Sequence, residues 1–126
     1  MSPEKSAFLR ERHPLIFSAT KQSHPHAPFS YWGLQCGDGW AGLLDDLCRQ
    51  LQCETAENGA PQVVALQVKE KFGAIRFYAA DLAARQRNLV QAAEAASKTT
   101  CETCGAPGAL IDGLWVKTRC TAHAAD

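Results

Sequence analysis

The sequence has no excess of either charge: thirteen Lys and Arg are balanced by thirteen Asp and Glu. Proteins dedicated to duplex nucleic acid draw most of their affinity from phosphate neutralisation and carry a basic surplus, so that function class is not expected. Long apolar runs are also missing. Nowhere do roughly eighteen apolar residues occur together, the length a membrane-spanning helix needs. The start, MSPEKSAFLRERHPLIF, scatters charges through what would be the apolar part of a secretion signal. These absences predict a cytoplasmic protein with no membrane partner. No paired nucleophile and base stands out, so no catalytic residue is assigned. A hydrolase or nuclease would need an acid–base pair or an open metal position.

What is present suits one domain. A chain of 126 residues can bury roughly 65–68% of its unfolded surface, enough for a true core. The expected layout is a single domain over 1–126, with an irregular segment at 1–36, an α-β-β-α core at 37–98 and a metal-binding lobe at 99–126. Pro3, Pro14, Pro25 and Pro28 interrupt the first segment, leaving room for a short helix around Ala7 to Arg12. His13, His24 and His26 read as solvated loop residues.

The first strong element is a helix. Trp40, Leu43, Leu44, Leu47 and Leu51 lie on one stripe of a 3.6-residue period, with Asp38 placed to cap the start. Asp45, Asp46, Glu54 and Glu57 should face water. Next, PQVVALQVKEKFGAIRFYAA reads as an antiparallel hairpin. Val64, Leu66 and Val68 alternate with Ala65, Gln67 and Lys69, a turn falls near Lys71–Gly73, and Ile75, Phe77 and Ala79 follow on the apolar face. A second helix should start after Asp81 and bury Leu82, Leu89, Ala93 and Ala96. The fold class is therefore α+β, and Trp115 is expected to pack between lobe and core.

Six cysteines in a reducing compartment point to metal more than to disulfides. Cys101 and Cys104 form Cys-x-x-Cys, and Cys120 and His123 form Cys-x-x-His, with fifteen residues between the pairs. Ligands three positions apart can wrap a tight turn and approach one ion from the same side, and a small hairpin turning near Asp112–Gly113 returns the second pair to the first. Three sulfurs and one imidazole suit zinc, with iron as a second metal for the same set. Four protein ligands close the site and make it structural. A thioredoxin-like redox pair is the competing reading of Cys101 and Cys104, but that motif follows a strand and opens a helix, whereas this one follows a helix and is trailed by Gly and Pro. Cys36, Cys48 and Cys53 are read as small buried or half-buried side chains. Cys36, near a helix start, is the weaker candidate for a nucleophile.

The polar face of the hairpin carries Lys69, Arg76 and Tyr78, with Lys71, Arg85 and Arg87 near in sequence. Cations interleaved with an aromatic ring can hold single-stranded nucleic acid by stacking and phosphate contact, or can form an ordinary outer face or partner surface.

The blocks CGDGW (36–40), QVKEKFGAIRFY (67–78), CETCGAPG (101–108) and W-x-x-T-x-C-x-x-H (115–123) resemble a family of small proteins of bacteria, prophages and phages with no established activity. The resemblance spans roughly residues 30 to 123. Ala74 stands where that family has Gly, which touches the hairpin turn. The resemblance implies zinc held by Cys101, Cys104, Cys120 and His123, and two roles: a phage accessory factor, or an immunity-type inhibitor that binds a toxin. The lobe itself is expected to be a zinc-ribbon or treble-clef-like knuckle. The function expected is a non-enzymatic, zinc-stabilised protein-interaction module, with nucleic-acid binding by the hairpin face as the alternative.

Overall fold

The computed structural model describes residues 1–126. The architecture is α+β: four helices and a small mixed sheet, followed by a two-stranded hairpin that carries the last Cys and His residues. No helix is long and apolar enough to cross a membrane.

The segment expected to be irregular holds three elements. Helix α1, Pro3–Arg12, starts earlier than the sequence suggests. Pro3 sits where its missing N–H costs nothing, and the Ser2 hydroxyl accepts the Lys5 amide at 3.2 Å. A single turn, α2 (Phe29–Trp32), leads into strand β1 (Leu34–Gln35). Leu9, Ile16, Phe17 and Phe29 from this segment are all buried in the main core. His13 is buried rather than solvated. Its Nε2 lies 2.7 Å from Asp45 Oδ1, and Arg12 grips the same carboxylate at 2.7 and 3.2 Å. Asp45 thus ties α1 to the next helix, and the Arg12 hydrogen bond foremost holds its carboxyl below the usual range.

That helix, α3 (Ala41–Asn58), follows a 3-10 turn at Asp38–Trp40. Trp40, Leu44, Leu47 and Leu51 are buried as the stripe predicts, while Leu43 is half-buried at the margin of the core. Asp38 does not cap it. Its carboxylate accepts the Ser2 amide at 2.7 Å instead, because α1 folds back within reach.

Strands β2 (Ala65–Lys71) and β3 (Ala74–Ala79) form the predicted antiparallel hairpin, and β1 joins β2 in parallel on the other side. The alternation on β2 fails at one point. The register jumps between Ala65↔Ala79 and Gln67↔Tyr78, so Leu66 is an extra residue in a bulge. The bulge resets the phase. Val63, Ala65 and Val68 are buried, whereas Val64 and Leu66 are only half-buried. Lys71 pairs with Ala74 around a two-residue turn, with Phe72 at φ +52° and Gly73 at φ +80°, the hand that suits strand twist.

Helix α4 spans Ala84–Ser97. Asp81 lies outside its first turn at φ +58°, and the Gln86 side chain accepts the Ala83 amide at 2.9 Å in its place. The deeply buried residues on α4 are Gln86, Val90 and Ser97, while Leu82, Leu89 and Ala93 pack at the margin of the core. Gln86 is drawn in by the Pro61 carbonyl, to which its Nε2 donates at 3.0 Å, and the C-terminal half of α4 closes the open edge of β3. Ser97 Oγ accepts the Ile75 amide at 2.9 Å and Glu94 Oε2 accepts the Phe77 amide at 3.0 Å.

The chain ends in strands β4 (Ala109–Ile111) and β5 (Lys117–Arg119), antiparallel around the 112–116 loop, and a final 3-10 turn at Thr121–His123. Trp115 does not pack between lobe and core. It lies in that loop, 82% exposed, beside Leu114 at 99%. The junction is filled by Trp40 from the other side, because the loop points away from the core.

Candidate metal centre

The first ligand pair follows directly on α4. The Thr100 hydroxyl donates to the Ala96 carbonyl at 2.9 Å, ending the helix, and Cys101 begins a tight turn. The Gly105 amide donates to the Cys101 carbonyl and the Cys101 amide to the Ala106 carbonyl, both at 2.8 Å. Gly105 sits at φ +84°, where a side chain would be strained. The turn brings the sulfurs of Cys101 and Cys104 to one side. The β4–β5 hairpin then returns Cys120 and His123. Its register is fixed against the first pair by the Glu102 amide, which donates to the Thr118 carbonyl at 3.1 Å.

The result is a four-residue cluster. One donor atom from each of Cys101, Cys104, Cys120 and His123 lies within 4.8 Å of every other. Cys104 Sγ and Cys120 Sγ are 3.7 Å apart, Cys120 Sγ and His123 Nδ1 3.2 Å, and Cys101 Sγ and His123 Nδ1 3.9 Å. Cys101 is fully buried and the other three are partly open to solvent. Four such donors can hold a metal ion.

Their electrostatics are those of crowded acids. Burial opposes charge on Cys101, yet main-chain hydrogen bonds at Cys120, Cys104 and Thr103 prevail and bring its thiol down to about 6. Hydrogen bonding at Ala106 favours a thiolate at Cys104, but burial and the neighbouring sulfurs outweigh it and hold that thiol up. Contact with Cys120 raises His123, and the same contact lowers Cys120. A cation at the centre would relieve this competition, because metal binding deprotonates every ligand together.

The lobe is seated on the core by residues that the sequence singles out only as a motif. The CGDGW block lies against the first ligand turn. The Gly39 amide donates to the Glu102 carbonyl at 2.8 Å, the Gly37 amide to the Glu102 carboxylate at 2.9 Å, and Trp40 Nε1 to the Thr100 carbonyl at 2.8 Å. A Cβ on Gly39 would collide with the Cys101 carbonyl. Glu102 is also paired with Arg119 of β5 at 3.1 Å. The Nε of Arg119 is buried without a partner, and nothing in the structure explains it. On the far side, Thr118 Oγ1 donates to the Gly73 carbonyl at 2.6 Å, clasping β5 to the β2–β3 turn. The signal in the sequence was two glycines flanking an aspartate just ahead of a tryptophan.

The other candidate residues fall apart from this cluster. Lys69 and Arg76 face each other across β2 and β3, and Tyr78 is exposed two pairs further along. Arg85 is engaged elsewhere, 4.0 Å from Glu54 of α3. Cys36 and Cys48 are buried, and burial foremost raises both thiols, Cys36 to about 12, which removes nucleophilic character. Cys53 is exposed on α3, contrary to the reading of it as a half-buried side chain. Comparison with protein families, with curated proteins and with solved structures finds no match to this chain.

Proposed function

We propose that this chain is a non-enzymatic protein-interaction module of the cytoplasm, whose C-terminal lobe is a zinc-ribbon or treble-clef-like knuckle held by one structural zinc ion. The observation that carries the reading is the convergence of three sulfurs and one imidazole nitrogen. With zinc–sulfur bonds near 2.3 Å, two sulfurs at the corners of a tetrahedron lie about 3.8 Å apart. The 3.7 Å between Cys104 and Cys120 supports that geometry. Protein atoms would fill all four positions, leaving none for water or substrate, so the ion's work is to hold the lobe in place. Such a lobe presents a fixed surface to a partner. The four sequence blocks named above support membership in the bacterial, prophage and phage family, and with it a role as an accessory factor or as an immunity-type inhibitor of a toxin.

The test is metal analysis of protein purified without chelator, beside Cys101→Ser and His123→Ala, followed by cross-linking and capture in the native host. One zinc per chain, lost in both variants, together with a protein partner recovered at stoichiometric level, is the expected result. A metal-free protein whose Cys101 and Cys104 cycle between dithiol and disulfide would sink it. Iron in place of zinc would change the metal and keep the architecture.

A second reading has one observation in its favour. Lys69 and Arg76 are like charges directly opposite each other, an arrangement that costs stability, and neither is in an ion pair. With Tyr78 beside them they can take single-stranded nucleic acid. Salt-dependent retention of a single-stranded oligonucleotide, lost in Arg76→Glu, would favour it.

A further inference from the structure

The 112–116 loop exposes the two most solvent-accessible large apolar side chains of the molecule, Leu114 at 99% and Trp115 at 82%. A lone exposed leucine means little, but an exposed Leu-Trp pair beside a concavity is uncommon. Here the concavity exists. A groove of about 620 Å³ runs between the loop, the outer side of the β4–β5 hairpin and the end of the chain. Leu114, Trp115, Ile111 and Val116 give it an apolar lining. Leu110 and Thr118 point the opposite way, toward Gly73, so the groove lies on the other face of the hairpin, where Glu70 of β2 and Glu102 also reach its wall.

Charge decides what fits. Glu70, Glu102, Asp112 and Asp126 line the groove against Lys117 and Arg119. Glu102 and Arg119 neutralise each other at 3.1 Å, which leaves Asp112, Asp126 and Glu70, whose Oε2 already accepts the Gly73 amide at 2.7 Å, against one lysine. An electron-rich indole face beside a net negative wall favours a cation flanked by apolar carbon. It disfavours a phosphate backbone. A tryptophan at such a position is the kind of anchor that dominates an interface when a partner covers it.

We infer that this groove is the docking site for a partner protein, and that it takes a basic segment of that partner: an apolar side chain against Trp115 and Leu114, with Lys or Arg beside it reaching Glu70, Asp112 and Asp126. The inference rests on the protein-interaction reading and names the surface that reading leaves open.

The test uses the full chain purified with its metal. Short random peptides displayed on phage are selected on it, and the best enriched sequence is synthesised with a fluorophore for anisotropy. The expected result is enrichment of net-positive peptides carrying an aliphatic or aromatic residue. Trp115→Ala should weaken the synthetic peptide at least about tenfold. Asp112→Asn should weaken it a few-fold and reduce its salt dependence. Leu114→Asp serves as a second, fully exposed variant, and thermal midpoints and metal content should match wild type in all three. Neutral or acidic selected peptides, or no enrichment at all, would overturn the inference. Basic peptides that bind Trp115→Ala as well as wild type would overturn this surface while leaving protein interaction standing. Retention of a single-stranded oligonucleotide that is lost in Trp115→Ala would overturn it in favour of nucleic acid.

Discussion

The indole nitrogen of Trp40 donates a hydrogen bond to the main-chain carbonyl of Thr100 across 2.8 Å, joining the start of α3 to the residue just before Cys101. The ring is fully buried, so the bond lies where water cannot replace it. Trp40→Phe keeps much of the volume and orphans the carbonyl. A loss of about 1–3 kcal/mol is expected in urea denaturation. Metal release to a chromophoric chelator should also quicken, because the bond seats the ligand turn.

Removing the proposed zinc should have a local effect. The core cluster draws on α1, α3, the sheet and α4 and includes none of Cys101, Cys104, Cys120 and His123. After chelation, amide exchange should accelerate over residues 99–126 and remain slow in α3 and β2. Global unfolding on chelation would contradict this division of labour. Sites of this type contribute on the order of 10 kcal/mol near neutral pH, and here that energy should act on the lobe.

Two glycines three positions apart should respond in opposite directions. A Cβ on Gly39 meets the main chain of Cys101 and Glu102, which cannot move aside as a flexible side chain can. Gly39→Ala should cost about 2–3 kcal/mol. Gly42, inside α3, has nothing within 4 Å of an added Cβ, and Gly42→Ala should stabilise by ~0.5–1 kcal/mol. Thermal denaturation of the pair decides it.

Asp45 gives the fold an acid-sensitive clasp. The Arg12 hydrogen bond, with help from His13, lowers its folded pKa against the opposing effect of burial. The stabilisation it contributes is therefore complete above the unfolded value of about 4 and is lost as pH falls through the lower folded value. Asp45→Asn should cost about 1–2 kcal/mol at neutral pH, the Arg12 side being screened by solvent. Its stability should then fall less steeply than wild type below pH 4. Equal slopes in a urea series across that range would rule the clasp out.

Thiol reactivity should sort the three cysteines outside the metal cluster. Cys53 is exposed, while Cys36 and Cys48 are buried with raised thiols. Mass spectrometry after brief treatment of the metal-loaded protein with a maleimide should find Cys53 modified and the other two intact. Rapid labelling of Cys36 would mean that the seat of the lobe opens readily.

Features that depend on nearest neighbours along the chain were legible in the sequence. The α3 stripe, the β2–β3 turn and the paired ligand spacing each follow from short-range periodicity or from residue type. Features set by distant contacts were not. Asp38 has the right chemistry for a helix cap, but α1 folds back to give it the Ser2 amide. The Leu66 bulge inverts half of a strand without changing its composition. Gln86 and Ser97 are polar residues on an otherwise alanine-rich helix, and only distant partners explain their burial: the Pro61 carbonyl for Gln86 and the open edge of β3 for Ser97. Trp115 has the size of a core residue, yet the five-residue loop that carries it is anchored by β4 and β5 on the side away from the core. The clustering of Cys101, Cys104, Cys120 and His123 was readable, whereas the CGDGW block that seats it was visible only as a motif.

The side chains of Glu94 and Ser97 have a consequence for how this molecule can associate. An open strand edge invites another chain to pair with it, which makes it both a recognition device and an aggregation hazard. Here the β3 amides at Ile75 and Phe77 are already occupied from within, and the opposite border of the sheet is a strand of only two residues. Growth of this sheet by strand addition is shut off at β3 and has little purchase at β1. A partner approaching the α-helical core must therefore be recognised through side chains.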